Sequence, residues 1–103
     1  MSYKIKLKVG FFKTQLCTVE INSQQISLIP QENGAKSIII KNDALKTAGF
    51  ITSDNRGDEE LEIVTVDATY RGTLVDKNDF TDLSQVLYQE FGKKFILHKG
   101  TLS

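Results

Sequence analysis

The chain has 103 residues, of which 40% are hydrophobic and 25% charged, and its 13 basic and 13 acidic residues cancel. That is the size and balance of one folded domain. It excludes a second domain of ordinary size, a chain too polar to fold, and a coat that binds nucleic acid by bulk charge. The single Cys17 excludes an intrachain disulfide and a multi-cysteine zinc site, and no apolar run nears the roughly 20 residues of a membrane span. The opening segment MSYKIKLKVGFF interleaves lysines with apolar residues instead of placing charge before a greasy run. A cytoplasmic, reducing location is therefore expected.

The charge cancels overall but not locally. Residues 1–50 carry seven lysines against Glu20, Glu32 and Asp43, a balance of +4, and residues 51–103 carry six basic and ten acidic residues, a balance of −4. A globule with faces of opposite sign follows.

Period-two alternation runs through the first three quarters of the chain and predicts strands. Tyr3 to Val9 sets Lys4, Lys6 and Lys8 against Ile5, Leu7 and Val9. Phe11 to Ile21 follows, with Cys17, Val19 and Ile21 on one face. A tight connection at Asn22-Ser23 leads into Gln24 to Pro30 as a hairpin. Gln31 to Gly34 contains Asn-Gly, which tolerates the positive φ of hairpin turns. Ser37 to Ile40 is β-branched and reads as a buried strand. Leu45 to Thr52 continues the sheet after a turn at Asn42-Asp43. Ser53 to Glu60 is a polar loop, and Leu61 to Val66 and Thr69 to Val75 form a last hairpin turning at Asp67-Ala68.

The period then changes. Phe80, Leu83, Leu87 and Phe91 recur at helical spacing with Val86 beside them. Asn78 or Asp79 can cap the start, Asp79 and Asp82 suit the positive end of the helix dipole, and Gly92 followed by Lys93 and Lys94 suits the other end. The expected architecture is mainly β: a barrel or sandwich of about seven antiparallel strands, plugged by one C-terminal α-helix near 78–92, with a tail over 93–103. All of this makes one domain, 1–103. The lack of βαβ alternation disfavours a nucleotide-binding parallel sheet.

Three segments carry a family resemblance. VEINSQQISLIP, SIIIKNDALKTAGF and LEIVTVDATYRGTLVDKNDFTDLSQVLYQEF resemble, respectively, the strand-turn-strand, the bent strand and the final hairpin with capping helix of the pleckstrin-homology (PH)-like superfamily, particularly GRAM and small bacterial PH-like domains. The resemblance spans about residues 11–92 and implies a module that binds lipid, peptide or protein, or itself, with no shared catalytic activity. Phosphoinositide-binding members carry a Lys followed by a spaced basic pair. Here Lys13 is followed by TQLCTVEINSQQIS, which has no basic residue, so specific phosphoinositide recognition is not expected.

Chemistry-bearing constellations are sparse. Cys17 and His98 are the only thiol and imidazole, and Cys17 alternates in phase with core residues, where thiols are inert. The acidic loop Asp54 to Glu60 does not match calcium-ligand spacing, and its Arg56-Gly57-Asp58 reads as an ordinary polar turn. No Gly-rich phosphate loop is present, and no carboxylate pair sits in an apolar context, so no catalytic residue, metal or cofactor is assigned. The candidate anionic-ligand site is Lys4, Lys6, Lys8 and Lys13. Nucleic acid is disfavoured because the interleaved residues are aliphatic rather than stacking aromatics. A membrane surface is less favoured than the plain reading of a lysine-protected edge strand. The candidate protein interface is Phe95, Ile96 and Leu97, consecutive apolar residues beyond the helix, which suit a protein partner or a homodimer. The functional expectation is a non-catalytic interaction or scaffolding module. The alternative is a peripheral binder of anionic lipid or nucleic acid.

Overall fold

The computed structural model describes residues 2–10, 13–32, 34–53 and 59–100. Eight strands form one sheet: β1 Ser2–Lys8, β2 Thr14–Asn22, β3 Gln25–Pro30, β4 Ile38–Lys41, β5 Leu45–Ser53, β6 Glu59–Thr65, β7 Thr69–Leu74 and β8 Phe95–Gly100. Helix α1, Asp79–Phe91, and a 3₁₀ turn, Gly92–Lys94, separate β7 from β8. The strand order is β4-β3-β2-β1-β7-β6-β5-β8, and every neighbouring pair is antiparallel except β5 with β8.

Alternation decides which face is buried. In β1, Tyr3, Ile5 and Leu7 point inward while Lys4, Lys6 and Lys8 stay exposed. Cys17, Val19 and Ile21 do the same on β2, Ile26 and Leu28 on β3, and Leu61 and Ile63 on β6. Helix α1 closes this apolar face with Leu83, Leu87 and Phe91, all buried, and with partly buried Phe80 and Val86. Phe80 meets Phe50 of β5 with ring centroids 4.7 Å apart, a tilted aromatic contact.

Turn chemistry fixes the register locally. Ser23 and Gln24 join β2 to β3 with φ of 47° and 60°, the paired left-handed conformation of a two-residue hairpin. The Gln24 N–H donates to Glu90 Oε1 at 2.9 Å, so the end of α1 holds this turn. At the last hairpin, Thr65 Oγ1 accepts from the N–H groups of Asp67 and Ala68. The helix start differs from expectation. Asn78 makes no side-chain cap, and instead Asp76 Oδ1 accepts from the Asn78 N–H at 3.0 Å. Lys94 also acts differently, donating to the carbonyl and side-chain oxygens of Asn42 rather than to the end of the helix.

Three expectations are corrected. The sheet is not closed into a barrel: β4 and β8 are its two edges. Asn42–Ala44 carry the chain from edge strand β4 to β5, a span of about 15 Å at most. The sheet must therefore curl strongly, yet β8 occupies the free side of β5 and no closing pair forms there among the described residues. The expected tail over 93–103 is, in its described part, the 3₁₀ turn and an eighth strand, and that strand is parallel. Periodicity gave no sign of it, because a parallel edge strand needs a partner far back in sequence. Third, β1 is not an edge strand. It lies between β2 and β7, so its lysines do not guard an edge.

Candidate functional site

The lysine face can be laid out from the strand register. Lys4 stands beside Thr18, Lys6 beside Leu16 on one side and Thr73 on the other, and Lys8 beside Thr14. All three lysines are exposed on the face opposite the core. The face is not uniformly cationic. Lys8 Nζ lies 2.6 Å from Glu60 Oε2, and Arg71 of β7 lies 2.8 Å from Glu62 Oε2. Lys4 shares a shallow cleft with Asp76 and Asp79. Lys13 sits apart from the stripe, in a cleft with Val9, Gln15 and Glu32 at the rim where β1 passes into β2. Gln15 Nε2 donates to Glu32 Oε2 there. The structure thus brings Lys4, Lys6 and Lys8 onto one surface and leaves Lys13 at its rim. Acidic neighbours of β6 engage one end of the stripe, a pairing that alternation within β1 could not reveal.

The expected interface residues fall on β8. Phe95 is half-buried against the core, Ile96 is half-buried, and Leu97 is 54% exposed. Tyr88 on α1, which sequence reading did not single out, is 63% exposed and meets the Phe95 ring edge-on with centroids 6.2 Å apart. Tyr88 lies one residue past Leu87 and so off the buried stripe. That spacing was the available signal. Together Tyr88, Phe95 and Leu97 form an apolar ridge between the helix and the sheet edge. A glycine positions it: a Cβ on Gly49 of β5 would lie 1.6 Å from the Ile96 carbonyl oxygen, so β8 docks only because residue 49 has none.

The remaining candidates give no chemistry. Cys17 is fully buried on β2, and burial raises its thiol pKa, which keeps it protonated and inert. His98 is aligned with Ile51 on β8, five strands away from β2 in the sheet order. Among the described residues no cluster of His, Cys, Asp or Glu could hold a metal ion, and no helix is long and apolar enough to cross a membrane. The Arg56-Gly57-Asp58 turn and most of the acidic loop lie outside the described residues. Tyr3 donates a hydrogen bond to the Asp82 carboxylate, joining β1 to the first half of α1. This bond latches β1 to α1 and holds the Tyr3 phenol against the Asp82 carboxylate.

No protein-family model and no curated protein matches the sequence. Solved structures do match over the whole chain. The N-terminal PH domain of the human ARAP2 protein superimposes with a TM-score of 0.67 at 19% identity, and this chain covers 88% of it. A chain of the Spt16D–Pob3N heterodimer superimposes with a TM-score of 0.65 at 14% identity, and this chain covers 55% of it. The fold is PH-like, as the resemblance in the sequence implied.

Proposed function

We infer that this PH-like fold serves as a non-catalytic interaction module that binds another protein chain, with the Tyr88–Phe95–Leu97 ridge as its contact surface. The carrying observation is the exposure of Tyr88 at 63% and Leu97 at 54% on either side of Phe95. Large apolar side chains grouped beside an unpaired strand edge favour protein contact over bare surface. A second copy of the chain is the simplest partner, closing with two-fold symmetry into a homodimer. The likeness to a chain solved within a heterodimer is in keeping with a protein-contact role. A cytoplasmic site of action suits a chain whose one cysteine, Cys17, is free and buried.

The reading is tested by light scattering over a range of protein concentrations, on wild type and on a Tyr88→Ser, Leu97→Ser double variant. Wild type should shift from monomer to dimer mass as concentration rises, and the variant should stay monomeric with an unchanged circular dichroism spectrum. A wild-type monomer throughout would sink the homodimer. The alternative, a peripheral binder of anionic lipid or nucleic acid, draws on Lys4, Lys6 and Lys13. It would show as binding to anionic vesicles or single-stranded DNA that weakens steeply with added salt.

A further inference from the structure

A second surface lies on the opposite side of the sheet from the helix. Register places Thr18 between Lys4 and Ile29, Glu20 between Ser2 and Ser27, and Ile39 beside Ser27. Two diagonals follow across β1 to β4. One is aliphatic: Leu16, Ile29 and Ile39, each one strand over and two residues along from the last. The other runs alongside as Lys6, Thr18, Ser27 and Lys41, with a cation at each end and small hydroxyl residues between. Adjacent strands lie about 4.8 Å apart and successive outward residues about 7 Å apart, so each diagonal step is about 8 Å. Leu16 is 38% exposed and Ile39 59% exposed, with Ile29 half-buried between them. Lys6 and Lys41 are exposed, and neither has an ion-pair partner among the described residues. The surface is thus a small-residue trough with cationic ends beside an aliphatic ridge.

We propose that this outer face of β1–β4 docks an acidic protein segment that also carries aliphatic side chains. The aliphatic ridge takes the partner's apolar residues, and Lys6 and Lys41 take carboxylates at either end. Charge complementarity selects the occupant: Lys6 and Lys41, without ion-pair partners among the described residues, frame the trough, while Glu20, beside Ser27, keeps the partner's carboxylates off the middle and at the two ends. A membrane surface would meet Glu20 and Glu60 on the same face, and bases would find aliphatic rather than aromatic neighbours.

The test is a nuclear magnetic resonance titration of the full chain with three synthetic peptides: alternating leucine and glutamate, alternating leucine and lysine, and alternating serine and glutamate. The leucine–glutamate peptide should shift amides around Leu16–Thr18, Ser27–Ile29 and Ile39–Lys41. The other two should bind weakly or not at all. A Lys6→Glu, Lys41→Glu double variant should weaken binding about tenfold or more. An Ile39→Ser variant should weaken it as well. Both variants change exposed side chains, and an unchanged spectrum elsewhere verifies that they fold. No shift on this face, or shifts confined to the Tyr88–Leu97 ridge, would overturn the proposal. Equal binding of the lysine or serine peptide would do the same. So would tighter binding of anionic vesicles or single-stranded DNA through the same residues.

Discussion

The two edge strands of the sheet are held in place by different means. Strand β4 is four residues long and pairs antiparallel with β3, its neighbour in sequence, through Leu28↔Ile38 to Gln25↔Lys41. Strand β8 pairs parallel with β5, more than forty residues earlier, along Ala48↔Phe95 to Ser53↔Gly100. A short loop suffices for the first edge. The second needs the helix: α1 carries the chain across the apolar face, and a parallel neighbour can be reached only by such a crossover. Local pairing is therefore robust at β4, whereas β8 depends on α1 packing and on the bare backbone of Gly49.

Removing the helix anchor tests that dependence most severely. Leu87 is 1% exposed in the core, so Leu87→Ala should cost about 2–5 kcal/mol in denaturant unfolding, whereas exposed Gln85→Ala should cost under about 0.5 kcal/mol. Equal midpoints would reject the packing that delivers β8. The next effect is local. In Gly49→Ala the added methyl meets the Ile96 backbone, and we expect about 1–3 kcal/mol of destabilisation. Hydrogen exchange should quicken over Phe95–Gly100 while Ile38–Lys41 keeps its protection. Parallel changes at both edges would break the comparison.

The smallest effect concerns the latch between β1 and α1. Tyr3→Phe removes the bond to Asp82 and should cost about 0.5–1.5 kcal/mol at neutral pH. Burial first, then the Asp82 bond and the charges of Asp82 and Asp79, raise the Tyr3 phenol well above its ordinary 10.0. A phenol that holds its proton longer when folded supports the fold fully below its unfolded value. That support declines as pH rises above about 10 toward the raised folded value. Wild type should thus lose stability with pH in that range more steeply than Tyr3→Phe does. Identical slopes in thermal unfolding between pH 9 and the alkaline limit would remove the latch from the account.

Legibility in the sequence followed the same division. Strands β1–β3 and β5–β7 are legible because half-buried strands alternate, and the helix because Phe80, Leu83, Leu87 and Phe91 keep one face. The segment Ser37 to Ile40, expected as a buried strand, is instead edge strand β4 with Ile39 59% exposed. β8 was not readable: Phe95-Ile96-Leu97 is a short unbroken apolar run, and nothing within it names β5 as a partner. Lys4, Lys6 and Lys8 were correctly placed outward. Their setting was misjudged, because a strand's rank in the sheet depends on its non-sequential neighbour, here β7. The diagonal of Leu16, Ile29 and Ile39 was likewise hidden, since it exists only once three strands are in register.

That non-sequential neighbour also bears on how the chain folds. Strands β1–β4 form one run of sequential hairpins, and β5–β7 form another. Among the described residues their strands pair where Ile5, Lys6 and Leu7 align with Leu74, Thr73 and Gly72. The seam is tight: a Cβ on Gly72 would lie 2.8 Å from the Lys6 carbonyl oxygen. Each run can form from short loops on a fast timescale, but joining them closes a loop of most of the chain, and such non-local closure slows folding. Closing the seam is therefore expected to set the folding rate, and before it closes β1 and β7 would each leave one strand edge open to other chains.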